Sequence, residues 1–151
     1  MKISPAKLNK YLMFKLPAAY FCGVRTTQLT LELCEVKVKH RWINQNPFNS
    51  MFWAVQGMAA ELTTGALVMQ AIRSSNTKIS MLVLNNKAHF SKKATGRITF
   101  LCTQGAEVEL AISKAINTRE GQTIWMHAKG IDEQGDQVSD FSFEWTLKLK
   151  N

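Results

Sequence analysis

Residues 51–72 read MFWAVQGMAAELTTGALVMQAI, 22 residues carrying a single charge, Glu61. Apolar or small side chains fall on every side of the helix this stretch would make: Ala54, Gly57, Ala59, Ala60, Gly65 and Ala66. A helix that is apolar all round belongs in a core or in a membrane. The length would just allow a span. But Gln56, Glu61, Thr63, Thr64 and Gln70 interrupt it, and an acid at the bilayer centre costs about 2.5–3.5 kcal/mol. No second such stretch exists. No membrane span is expected, and the helix needs a protein layer to wrap it. The preceding INQNPFNS (43–50) has loop composition, with Asn49 or Ser50 placed to cap the helix.

Working outward, Ser4 and Pro5 suit the start of a short helix over residues 5–16, with Leu8, Leu12 and Leu16 at helical spacing and Pro17 as its stop. Residues 24–42 read as one extended stretch. Leu29, Leu31 and Leu33 alternate with polar residues, and Val36 and Val38 alternate out of phase with them, which predicts a bulge near Cys34 and Glu35. Strands are expected over 79–90, 96–102 and 123–131, with DEQGD (132–136) as a hairpin turn. Residues 106–117 fit a strand through Val108, Leu110 and Ile112 and a helix through Val108, Ile112, Ala115 and Ile116; the helix is preferred. The clearest strand is the last. Phe141, Phe143, Trp145, Leu147 and Leu149 face one way, and Ser142, Glu144, Thr146, Lys148 and Lys150 the other. The expectation is an α+β chain in which about five antiparallel strands cover one long helix.

At 151 residues and 17.0 kDa the chain is expected to form one domain, 1–151. A hydrophobic share of 46% excludes a disordered tail. Cys22, Cys34 and Cys102 are odd in number and widely spaced, with no CxxC pair. A disulfide framework and a four-cysteine zinc site are therefore not expected, and reduced thiols favour the cytoplasm. The lysine-interrupted N-terminus is a poor signal peptide. His40, His89 and His127 have no metal-ligand spacing, so no metal is expected. Net charge is +8, and no acid stands between Leu62 and Ala106, a stretch containing Arg73, Lys78, Lys87, Lys92, Lys93 and Arg97. Such a stretch suits an anionic ligand or a solvated basic face. Few aromatics accompany it, and no nucleic-acid partner is expected.

The stretch NPFNSMFWAVQGMAAELTTG (46–65) resembles the loop and helix of hotdog-fold acyl-CoA thioesterases of the phenylacetic-acid-pathway type. In those, an Asn precedes a His-Gly-Gly at the helix start, and an acid lies fifteen residues after the Asn. Here Asn46 and Glu61 stand fifteen apart, and Gly65 follows one turn later. FSKKATGRI (90–98) is similar to the family's F-x-K/R-P-A-x-G, with Lys93 where proline often stands. The His-Gly-Gly positions hold Phe52, Trp53 and Ala54, as in a branch lacking that motif. The resemblance implies a hotdog fold: a curved antiparallel sheet around one central helix, with a short N-terminal helix. It also implies a homodimer, with a tetramer as a further assembly, and coenzyme A as part of the substrate with no separate cofactor.

The chemistry follows from residue types. A buried carboxylate without a partner is costly, so Glu61 must be bonded or have a raised pKa, which is how a general base near neutral pH is made. The resemblance implies that Glu61 activates water or attacks the thioester and that Asn46 orients one of them; plain structural roles for both residues stay open. The helix start offers unpaired N–H groups, those of Trp53 and Ala54, to an oxyanion. Asn49, Phe52, Gln56 and Thr64 are candidates to touch substrate, and Lys92, Lys93 and Arg97 to meet coenzyme A phosphates. The leading expectation is hydrolysis of a small or medium acyl-CoA or acyl-carrier thioester. The alternative is a hotdog protein that binds acyl-CoA or fatty acyl groups without turnover.

Overall fold

The computed structural model describes residues 2–150. Helix α1 (Pro5–Lys15) starts at Ser4, whose Oγ accepts from the N–H of Lys7, and Leu8 and Leu12 face the core. Pro17 ends it but also occupies the first turn of a second short helix, α2 (Pro17–Phe21). Strands β1 (Arg25–Leu29) and β2 (Cys34–Lys39) follow, then a 3₁₀ turn at Trp42–Asn44 and the long helix α3 (Trp53–Ser74). The chain continues through β3 (Ile79–Phe90), β4 (Arg97–Cys102), α4 (Gly105–Thr118), β5 (Gln122–Ile131) and β6 (Gln137–Leu149).

Six strands, not about five, make one antiparallel sheet in the order β1-β2-β4-β5-β6-β3. The extra strand comes from 24–42, which is a hairpin and not one bulged strand. Thr30 makes the turn: its Oγ1 accepts from the N–H groups of Glu32 and Leu33, and its own N–H bonds the Leu33 carbonyl at 2.9 Å. That turn contains neither Gly nor Pro, so composition concealed it. The register irregularity falls instead between Thr26 and Gln28. The turn docks on the start of α4, where the N–H of Gly105 bonds the Glu32 carbonyl at 3.1 Å, and a Cβ at Gly105 would collide with the Leu31 backbone.

The concave face of the sheet wraps α3. Val36, Val38, Ile98, Phe100, Met126, Ala128, Phe141, Trp145 and Leu147 are buried around a helix whose Val55, Ala59, Ala60, Leu62, Ala66, Leu67 and Val68 are also buried. This is the hotdog arrangement. Helix α4 covers the remaining side with Val108, Ile112 and Ala115, while Leu110, which suggested a strand, is exposed. Strand β3 pairs only with β6 and leaves its other edge open, with Leu82, Leu84 and Phe90 exposed.

The expected helix cap is absent. Phe52, with extended backbone, precedes α3 and offers no side-chain bond. Ser50 is engaged with Asn46, and the N–H groups of Met51 and Phe52 bond the carbonyls of Ala94 and Asn44, which holds the chain extended past 50. Asn49 instead takes the left-handed conformation, φ 57°, inside the turn. No described helix is long and apolar enough to cross a membrane.

Candidate active site

A cleft of about 490 Å³ opens at the N-terminal end of α3, between the 46–53 loop and the 90–94 segment that follows β3. Phe48, Phe52, Trp53 and Phe90 give it aromatic walls; Asn46, Gln56, Lys92 and Lys93 are its polar groups. An apolar cleft with a few convergent polar groups is the usual form of a small-molecule site.

The loop is built around Asn46. Its Oδ1 accepts from the N–H groups of Phe48 and Ser50 at 2.9 and 3.2 Å, and its Nδ2 donates to Ser50 Oγ and the Met51 carbonyl. Both ends of the amide therefore serve the loop that shapes the cleft. The N–H groups of Trp53 and Ala54 are the first of α3 and make no backbone bond among the described residues, while those of Val55 and Gln56 bond the Phe52 carbonyl. Gln56 is 4% exposed, and its Oε1 is buried without a partner. Its amide nitrogen has only a long contact, 3.5 Å, to the Met51 carbonyl.

Glu61 is half-buried on α3, off the cleft lining, and its carboxylate has no hydrogen-bond or ion-pair partner among the described residues. Burial raises its pKa above the ordinary carboxylate value. It shares a helix stripe with Trp53, Gly57 and Gly65 at four-residue spacing. The glycines leave room for sheet aromatics: a Cβ at Gly57 would meet the Phe141 ring at 3.5 Å, and one at Gly65 would meet Trp145 at 3.0 Å and Glu61 Oε1 at 3.7 Å. Trp145 is fixed by its indole N–H, which donates to Thr64 Oγ1 at 2.9 Å. Thr64 thus positions the wall beside Glu61. Sequence reasoning missed this pairing, because it joins residues 81 apart.

The structure brings Asn46, Phe52, Trp53, Gln56, Lys92 and Lys93 together and leaves Asn49, Ala54, Glu61, Thr64 and Arg97 off the cleft lining. Lys93 Nζ reaches the Phe48 carbonyl at 3.2 Å, while Lys92 is held by Asp132 and Asp136, each at 2.7 Å. Donating to the Asp132 carboxylate raises the Lys92 pKa, and that same bond lowers the pKa of Asp132. Arg97 points into a separate basic concavity on the outer side of the sheet. The acid-free stretch is thus spread over several faces: Lys87 lies over Trp125 at 4.9 Å, and Arg73 is at the end of α3. No group of metal-ligating side chains occurs among the described residues. His127 Nδ1 is 2.7 Å from Ser142 Oγ, and His89 is exposed on β3.

Solved structures share this architecture. A Pseudomonas aeruginosa protein of unknown function, described as a probable thioesterase, superposes with a TM-score of 0.83 at 21% identity over 99% of both chains. A Chlorobaculum tepidum protein of unknown function gives 0.82 at 17% identity, again over 99% of both. A mutant of a Pseudomonas aeruginosa thioesterase gives 0.72 at 11% identity, covering 99% of this chain and 97% of that one. At these identities the likeness is one of fold. Comparison with curated protein sequences gives no match. The model of a family described as a domain of unknown function, DUF4442, matches residues 6–147, and the chain belongs to that family.

Proposed function

We propose that the protein hydrolyses acyl thioesters, with acyl-CoA or acyl-carrier thioesters of small or medium chain as substrates. The observation that carries this is Glu61: one carboxylate on a buried helix, without a partner among the described residues, its pKa raised by burial, which is the direction a general base requires. The relatives described as thioesterases supply a second, independent line of support.

Helix geometry adds a condition. Glu61 lies eight residues beyond Trp53, about 12 Å of helix rise. A glutamate side chain and the first N–H groups of the same helix cannot both reach one thioester carbon, where reacting atoms must approach to about 3–3.5 Å. The reading therefore pairs two copies of the chain: Glu61 of one copy acts on a carbonyl whose oxygen sits on the Trp53 and Ala54 N–H groups of the other. The open, partly apolar edge of β3 is the natural contact, since an exposed long edge strand invites strand pairing. Two such dimers could in turn form a tetramer. The acyl chain would lie along Phe48, Phe52 and Trp53, the Gln56 amide N–H would donate to the thioester carbonyl while its unpartnered Oε1 accepts from a pantetheine amide N–H, and Lys93 would meet a coenzyme A phosphate. Free Cys34 and Cys102 fit a reducing compartment such as the cytoplasm. Burial pushes Cys34 up to about 12, so it is no competing nucleophile.

The test is release of free coenzyme A, read by chromatography, from acetyl-, octanoyl-, palmitoyl- and phenylacetyl-CoA. Turnover is expected from the native chain, none from Glu61→Gln and little from Ala54→Pro, which deletes one oxyanion donor. Mixing those two variants should restore activity, because the mixed dimer contains one intact site. Rescue failing in a confirmed mixed dimer would confine the site to one chain. The second reading, a binder without turnover, is favoured by the saturated Asn46 amide, which has no free group to orient water. It predicts acyl-CoA binding by calorimetry with no release, unchanged in Glu61→Gln.

A further inference from the structure

Apart from the cleft stands the edge made by α1, α2 and the 3₁₀ turn. On α1, Leu8 and Leu12 take the core, while Phe14 turns outward and is 68% exposed beside exposed Lys7, Lys10 and Lys15. Phe21 at the end of α2 is 63% exposed, and Trp42 on the turn is 83% exposed next to half-exposed Ile43. Asn44 ties the turn to α2: its Nδ2 donates to the carbonyls of Cys22 and Lys39, each at 2.9 Å. Arg41 lies against Gly23, at the end of the same helix.

Adjoining this edge is the basic concavity, about 370 Å³, lined by Gly23, Arg25, Thr27, Lys37, Lys39 and Arg97. Arg25 stacks on Tyr20 at 3.7 Å, and Lys37 pairs with Glu35 at 3.2 Å. Lys39 and Arg97 have no ion-pair partner among the described residues. Glu133 lies nearby, beside Gly96. The sequence keeps acids away from the edge itself: none occurs in residues 1–31 or 36–60.

We propose that this face docks the protein reversibly on an anionic lipid bilayer, with Phe14, Phe21, Trp42 and Ile43 entering the interface and the concavity receiving lipid phosphates. Charge and side-chain type decide the occupant. Trp and Phe interleaved with Lys are what the headgroup boundary favours, whereas the core of a protein interface is depleted in Lys. A nucleic-acid strand held in the concavity would meet none of Phe14, Phe21, Trp42 and Ile43, which all lie outside its lining, and would leave them with no base to stack on. This inference does not depend on thioester hydrolysis.

The experiment is co-sedimentation of the full chain with vesicles of equal phosphatidylglycerol and phosphatidylcholine, against pure phosphatidylcholine. Binding is expected only to the anionic vesicles, with collapse in 0.5 M salt. The double variant Phe14→Ala/Trp42→Ala should lose about tenfold in partitioning, and Lys39→Ser and Arg97→Ser about fivefold each. All these residues are exposed, so thermal midpoints should match the native chain. Brominated lipid should quench the native emission, and Trp42→Phe should remove that quenching. No sedimentation with anionic vesicles overturns the proposal. So does binding that ignores the aromatic variants, which means charge adsorption elsewhere. So does a change in sedimentation coefficient of Phe14→Ala/Trp42→Ala without vesicles, which makes this edge a contact between copies.

Discussion

Helix α3 runs through two different environments. From Leu62 to Val68 every residue is buried, and its polar groups are occupied: Thr63 donates to the Ala59 carbonyl at 2.6 Å, and Thr64 accepts from Trp145. From Trp53 to Glu61 the same helix has an exposed Trp53 and, among the described residues, two N–H groups without backbone partners, an orphaned Gln56 oxygen and a carboxylate with no partner. Local chemistry that disagrees with the fold tends to mark function. Residues 62–68 of α3 hold the structure, and the front half gathers unsatisfied groups that a ligand can satisfy; farther back only Gln70 Nε2 among the described polar groups of the helix is buried without a partner, its Oε1 accepting from the Ile3 N–H at 2.8 Å.

The largest expected effect comes from the front half. Glu61→Gln should cut kcat on acyl thioesters by about 10²–10⁴-fold, the usual yield of general-base catalysis. It should not cost stability. Because burial raises the Glu61 pKa in the folded state, ionisation works against folding. Any stability tied to the neutral carboxyl is fully present below the unfolded pKa, about 4.3. It is lost as pH rises through the folded value. Glu61→Gln should therefore raise the thermal midpoint at pH 8, with the gain vanishing near pH 3.5. If the proposed hydrolysis holds, activity of the native chain should rise with pH through the same folded pKa. A variant that loses stability at pH 8 would make Glu61 a structural group and erase the contrast between the halves.

The rear half should behave in the opposite way. Leu67 is 1% exposed, and Leu67→Ala should cost about 2–5 kcal/mol in a denaturant titration. Its kcat should stay near native at temperatures where it is folded. Thr64→Val sits at the border. It removes the acceptor for the buried Trp145 indole and should cost about 1–3 kcal/mol. Because Trp145 flanks Gly65 and Glu61, it should also shift the pH profile, which Leu67→Ala should not do.

The burial of α3 was legible. A run of 22 residues with one charge states it directly, and the alternation through β6 states which face covers it. The Thr30 turn was illegible because a hydroxyl does there what Gly or Pro does elsewhere. At the candidate site, the resemblance pointed to Asn46 and Glu61 but said nothing of what surrounds them. Whether Asn46 points at a ligand or bonds its own loop depends on Phe48 and Ser50, and the wall beside Glu61 comes from Phe141 and Trp145 at the far end of the chain. Charge was the weakest guide. The acid-free stretch 62–106 suggested one basic face, yet Lys92 folds against Asp132 and Asp136 while Arg97 leaves for the outer surface. Net charge along a sequence does not say which side chains share a direction.

The smallest effect is expected where the two lysines beside the cleft part company. Among the described residues Lys93 meets the Phe48 carbonyl alone, at 3.2 Å, and can turn to an anion; Lys92 is already held by two carboxylates. An exposed charge contact is worth about 0.2–1 kcal/mol, so Lys93→Ala should raise KM for acyl-CoA by about two- to fivefold and leave kcat alone. The increase should shrink with added salt. A pantetheine thioester without the nucleotide phosphates should show no difference between the native chain and Lys93→Ala. Lys92→Ala should leave KM unchanged for both substrates. If Lys92→Ala raises KM instead, the Asp132–Asp136 corner opens in solution and the front of α3 has a second cation. The boundary of the site would then move from the 46–53 loop toward the β5–β6 turn.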